Sequence, residues 1–126
     1  MYTNGEVMVG TGNGGQDSWI GQHEVHGLNF SSDQEMRELF IYISNKYDLN
    51  YKLMIRAFDK GRHGGVCNYT KRTITIFPAG RTVGVLLHEL AHAITDETCV
   101  RQQKAHGVAF YNTMTRLLGE WDKLED

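Results

Sequence analysis

The chain is poor in proline, in cysteine and in unbalanced charge. Among 126 residues there are one proline and two cysteines, and 13 basic against 15 acidic residues leave a net charge of −2. A lone Pro78 cannot make a proline-rich linker. Cys67 and Cys99 cannot form a disulfide framework and read as reduced, half-buried thiols. The even charge gives no broad positive field for nucleic acid or an anionic membrane. No apolar run reaches transmembrane length. The opening Met1-Tyr2-Thr3-Asn4-Gly5-Glu6 has neither the basic nor the apolar region of a secretory signal, so a cytoplasmic protein without membrane contact is expected. Length and a hydrophobic fraction of 40% suit one domain over residues 1–126.

What is present is a run of short elements behind a Gly-rich start. Residues 1–30 read as a loosely ordered N-terminal segment. Gly10-Thr11-Gly12-Asn13-Gly14-Gly15 spells G-x-G-x-x-G, but no helical period follows it, so no nucleotide site is expected there. His23-Glu24-Val25-His26 is pinned between Gly21 and Gly27, and on a strand its two histidines would face opposite sides. Ser32-Asp33-Gln34-Glu35 is a capping box, and Met36, Leu39, Phe40, Ile43 and Tyr47 continue it at helical spacing over about 33–47. Strands are expected at 51–58, 66–69 and 72–77, with a loop at 59–65 and a turn at Thr70-Lys71. Pro78 and Gly80 break the chain before a helix over 81–95, and a polar connector fills 96–105. From His106 onward Phe110, Met114, Leu117, Leu118, Trp121 and Leu124 define a last amphipathic helix. Its acidic end, Asp122, Glu125 and Asp126, opposes the helix dipole and should fray. These elements make an α+β domain.

The chemistry lies in His88-Glu89-Leu90-Ala91-His92, an H-E-x-x-H pattern. On a helix its two imidazoles share one face and can bind one zinc ion, with the glutamate beside the water on that ion. A chain of this composition would contain the pattern by chance roughly one or two times in a hundred. The surrounding residues add to it. At about 100° per residue, His92 lies about 40° and Glu89 about 100° from His88, while Val83, Leu86, Leu87, Leu90, Ala91 and Ile94 fall on the opposite arc. The apolar arc should enter the core and the motif arc should face a cleft.

A catalytic zinc takes three protein ligands and leaves one position open. Thr95 and Thr98 stand where H-E-x-x-H-x-x-G-x-x-H would need Gly and His. Asp96 and Glu97 are too close to His92 to fold back. Glu120 on the last helix could point back, and His63 is available from the loop. His106 fits best, because it opens the last helix beyond a connector long enough to reverse direction, with Gly107 allowing close approach and Phe110 pinning the helix start.

His88-Glu89-Leu90-Ala91-His92 followed by His106-Gly107-Val108-Ala109-Phe110 resembles the SprT-like (spartan-like) zinc metallopeptidases and the minimal zincins related to them. Their pattern is H-E-x-x-H, a short connector, then H-G-x-x-F. The strand pair from Gly64 to Phe77 is similar too, and the likeness covers roughly residues 51–118. It implies a small zincin-like fold, a short and mostly antiparallel sheet packed against the motif helix and two further amphipathic helices. It implies one catalytic Zn2+ on His88, His92 and His106, with Glu89 as the base. The family's repair members add a zinc-binding or basic segment that engages DNA. This chain has neither a cysteine cluster nor a basic stripe, so a nucleic-acid partner is not favoured.

The activity implied is peptide-bond hydrolysis by a zinc-activated water, with Glu89 as general base. Tyr69, Arg81 and Tyr111 are candidate oxyanion donors. Gly65 to Tyr69 is a candidate sheet edge for a protein or peptide substrate bound in extended form. Two alternatives stand beside this. One is a non-catalytic, zinc-stabilised peptide- or partner-binding module, with Cys99 or Glu120 as fourth ligand. The other is a DNA-associated repair protease using a patch of Lys60, Arg62, Lys71 and Arg72, which otherwise reads as a solvated hairpin face.

Overall fold

The computed structural model describes residues 28–58, 64–98 and 107–125. Among these residues three helices and a three-stranded sheet follow in the order α1 (Asp33–Lys46), β1 (Lys52–Ile55), β2 (Gly65–Asn68), β3 (Thr73–Ile76), α2 (Val83–Thr98) and α3 (Val108–Glu125), with a short 3-10 turn at Pro78–Gly80 before α2. The expected α+β class is borne out. The Gly-rich start, His23, His26, Lys60, Arg62, His63, Cys99 and His106 lie outside the described residues.

Helix α1 begins and ends where its sequence directs. The Ser32 hydroxyl accepts from the Glu35 N–H at 3.1 Å. The Glu35 carboxylate accepts from the N–H of Ser31, not of Ser32, so the reciprocal arm of the capping box reaches one residue further back. At the other end Asp48 takes a left-handed φ of 52°. There Leu49 N–H donates to Ser44 O and Asp48 N–H to Asn45 O, the paired bonds of a Schellman ending. Leu49 then turns into the core.

The sheet order is β1-β3-β2. Strands β2 and β3 form an antiparallel hairpin, whereas β1 runs parallel to β3. The sheet is therefore mixed, where a mostly antiparallel one was expected. Period-two alternation fixes which residues share a face, and it says nothing of which strands are neighbours. The chain leaves β1, passes to the far side of β3 and returns as β2. Leu53, Ile74 and Ile76 enter the core from one face. Register places Cys67 beside Ile74 and Gly65 beside Ile76 on that same face.

Helix α2 is the centre of the packing, against β2 and β3 on one side and α1 and α3 on the others. Every residue from Val83 to Ala91 is buried. Thr82 caps the helix through the Val85 N–H at 3.2 Å. Residues 28–30 strap this start, with Leu28 O accepting from Val83 N–H and Phe30 N–H donating to Arg81 O. Helix α3 runs through Asp122 to Glu125. Trp121 packs on the core and Lys123 sits in the last turn, which offsets the unfavourable acidic end. No helix among the described residues is long and apolar enough to cross a membrane.

Candidate metal centre

Helix α2 carries the whole H-E-L-A-H segment and extends three residues beyond the expected end. The His88 and His92 rings lie 4.9 Å apart, edge to face, as the one-turn spacing requires. Phe110 from α3 touches both, at 5.0 Å from His88 and 4.7 Å from His92. Burying Phe110 therefore ties the start of α3 to the motif, the role expected of it.

The hairpin covers the motif from the other side. The Tyr69 hydroxyl lies 3.3 Å from His92 Nδ1. That contact fixes the ring orientation of His92 through Nδ1. Gly65 lies directly over Glu89, so a Cβ there would come within 3.0 Å of the Glu89 Cγ. The glycine is what lets the strand and the glutamate share the space. Gly80 does the same one step earlier, because a Cβ on it would collide with the Gly64 carbonyl. That carbonyl accepts from Phe77 N–H at 2.9 Å, locking the hairpin to the lead-in of α2.

The motif face is more enclosed than expected. His88 is 0% and Glu89 3% exposed, and only His92 is half-buried. The amphipathic reading placed the apolar arc correctly in the core. It could not foresee that Phe110, Tyr69 and Gly65 would cover the polar arc. Burial pushes the Glu89 carboxyl from 4.5 up to about 8. Cys67, next to this site on β2, has its thiol raised well above the usual range, first by burial and then by the charges of Glu89 and Asp96. It stays protonated and is inert as a nucleophile.

Two imidazoles on one helical face suit a divalent zinc ion, whose usual nitrogen ligand is neutral histidine. No group of three or more His, Cys, Asp or Glu side chains capable of holding a metal forms among the described residues. The other sequence candidates separate clearly. The Glu120 carboxylate lies ten residues beyond Phe110, about 15 Å along the helix, and is held by Lys46 at 3.3 Å and by the Tyr42 hydroxyl. Arg81 is ion-paired with Asp33. Tyr111 packs edge-on against Phe110. Of the three candidate oxyanion donors, Tyr69 makes a hydrogen-bond contact with a motif histidine. Nothing in the residue order signals the Gly65–Glu89 approach, because strand register is not legible in composition.

Among the described residues β2 is an edge strand. The Phe77 N–H to Gly64 O bond marks that pair as hydrogen-bonded, and pairs alternate along an antiparallel ladder. Val66 and Asn68 then turn their backbone groups to β3, and Gly65 and Cys67 turn theirs outward. The outward edge is thus the stretch whose side-chain face covers Glu89. The chain matches no family model, no curated protein and no solved structure.

Proposed function

We propose that the chain is a zinc-dependent metallopeptidase of zincin type, cutting protein or peptide substrates internally. The observation that carries this reading is the pairing of two imidazoles 4.9 Å apart on one helix with a buried glutamate between them in sequence. His88 and His92 would hold the ion, with His106 as third ligand. Zinc, when bound, supplies a Lewis acid for the scissile carbonyl and brings the pKa of water near 7. Glu89 serves as the base. Its carboxylate takes a proton from the attacking water and passes it to the leaving amine. Beside a cation Glu89 is charged, in contrast to its raised pKa in the metal-free chain. Tyr69 holds His92 by Nδ1 and is a positioning residue. Substrate lies along the outward edge of β2, bonded to the backbone of Gly65 and Cys67.

The test is zinc stoichiometry and cleavage of an unfolded protein by wild type and Glu89→Gln. One zinc per chain in both, with cleavage only by wild type, is expected. A wild type that holds one zinc and cuts nothing would end the peptidase reading.

The enclosure of His88 and Glu89 favours a second reading, a structural zinc in a module that binds a peptide on the β2 edge. Its mark is a closed four-ligand site and peptide binding unchanged by Glu89→Gln.

A further inference from the structure

Away from the motif helix, α1, β1 and the β2–β3 turn border an open hollow of about 660 Å3. Four of the chain's 13 basic residues stand around it, namely Arg37, Lys52, Lys71 and Arg72. None of its lining residues among those described is acidic, in a chain where acids outnumber bases. Arg37, Lys52 and Lys71 make no ion pair among the described residues. Four cations around one concavity repel each other and gain by sharing an anion.

The turn that carries two of them is built firmly. Lys71 N–H donates to the Asn68 side chain at 2.9 Å. Arg72 takes a left-handed φ of 54°, a conformation unusual for a residue without a short polar side chain. Its carbonyl accepts from Lys52 N–H, which joins the turn to β1. Its guanidinium is held 6.0 Å from the ring centre of Tyr51, a buried residue of the cavity wall. The volume is that of a small-molecule site. The net charge of −2 and the confinement of these cations to one hollow argue against a long polyanion tracking the surface.

We propose that this cavity binds a compact, multiply phosphorylated small molecule. Phosphoryl oxygens meet Lys52, Lys71 and the planar guanidinium groups of Arg37 and Arg72, and any organic portion lies against Tyr51. The site is independent of the zinc reading, and none of its residues belongs to the motif.

Calorimetric titration of the full chain with inorganic triphosphate and with ATP tests the proposal, beside two variants. In Lys52→Glu/Lys71→Glu both altered side chains are exposed, so the fold is retained. Arg56→Glu alters an exposed cation outside the cavity and serves as the charge control. Saturable one-to-one binding is expected, weakened about tenfold or more in the double variant and unchanged in Arg56→Glu. ATP tighter than triphosphate identifies an organic phosphate, and equal affinity identifies the phosphate chain alone; both support the site. Absence of saturable binding at millimolar probe overturns it, as does equal weakening in Arg56→Glu. A single-stranded 20-nucleotide DNA that binds far tighter than ATP overturns the compact-ligand assignment.

Discussion

Replacing Glu89 by Gln in the metal-free protein should change how stability depends on pH. Burial holds the Glu89 carboxyl at about 8 in the fold, against 4.5 in the unfolded chain. Between those values the native state binds more protons than the unfolded state, so stability falls as pH rises. Well below 4.5 both states are protonated and the residue contributes nothing to the slope. By pH 5 the native state has lost about 1 kcal/mol from this one group, and by pH 7 about 3 kcal/mol. Gln has nearly the same shape and does not titrate. The difference in unfolding free energy, Gln variant minus wild type, should therefore grow by about 2–3 kcal/mol from pH 5 to pH 7. Taking the difference removes every titration the two proteins share. Urea denaturation at pH 5, 6 and 7, with a chelator present, measures it. Parallel curves for the two proteins across that range would refute the reasoning, because Glu89 would then be as well solvated folded as unfolded.

Phe110→Ala removes a fully buried ring that touches both motif histidines, and should cost about 3–5 kcal/mol in urea denaturation. Gly65→Ala sets a methyl against the Glu89 Cγ and should lower stability by about 1–3 kcal/mol in thermal unfolding, whereas the same change at Gly119, with nothing nearby, should not destabilise. Tyr69→Phe removes the hydroxyl on His92 Nδ1; zinc affinity, read by chelator competition, should drop about 10–100-fold while unfolding free energy moves by only about 1 kcal/mol. His106→Ala should lower zinc affinity far more than His63→Ala, and equal losses in the two would remove His106 from the ligand set.

Much of this domain could be read from its sequence because its helices follow local rules. The α1 start was written in Ser32 and Glu35, and the buried stripe of α3 in Phe110, Met114 and Leu117. The ±1–3 residue differences at strand and helix ends reflect register and capping, as at Thr82, whose hydroxyl caps α2 after a stretch that read only as a break. Non-local pairing was the part that sequence could not supply. Nothing in Lys52–Ile55 announces that it runs parallel to Thr73–Ile76. The enclosure of the motif arises in the same way, from Gly65, Tyr69 and Phe110 arriving from distant elements. Periodicity assigned the motif arc to the polar side of a helix, and only the tertiary fold decides whether that side meets water.

That enclosure bears on what Glu89 is for. A side chain at this depth, beneath β2 and almost without exposure, is at a position where a hydrophobic residue would serve the fold better. A carboxyl there weakens the metal-free protein at neutral pH by several times the net worth of an ordinary hydrogen bond. The strand above it is narrowed to Gly65 to accommodate it, which gives up strand packing as well. Both costs are reduced when a cation stands beside the carboxylate, since the charged form then gains a partner where it had only desolvation. If zinc binds as proposed, metal binding and folding are coupled through one residue. Zinc should stabilise wild type more at pH 7 than at pH 5, beyond the change that histidine protonation alone produces in Glu89→Gln. If zinc stabilises the two proteins equally across that range, the buried carboxyl is not part of the metal's environment, and the case for Glu89 as a base falls with it.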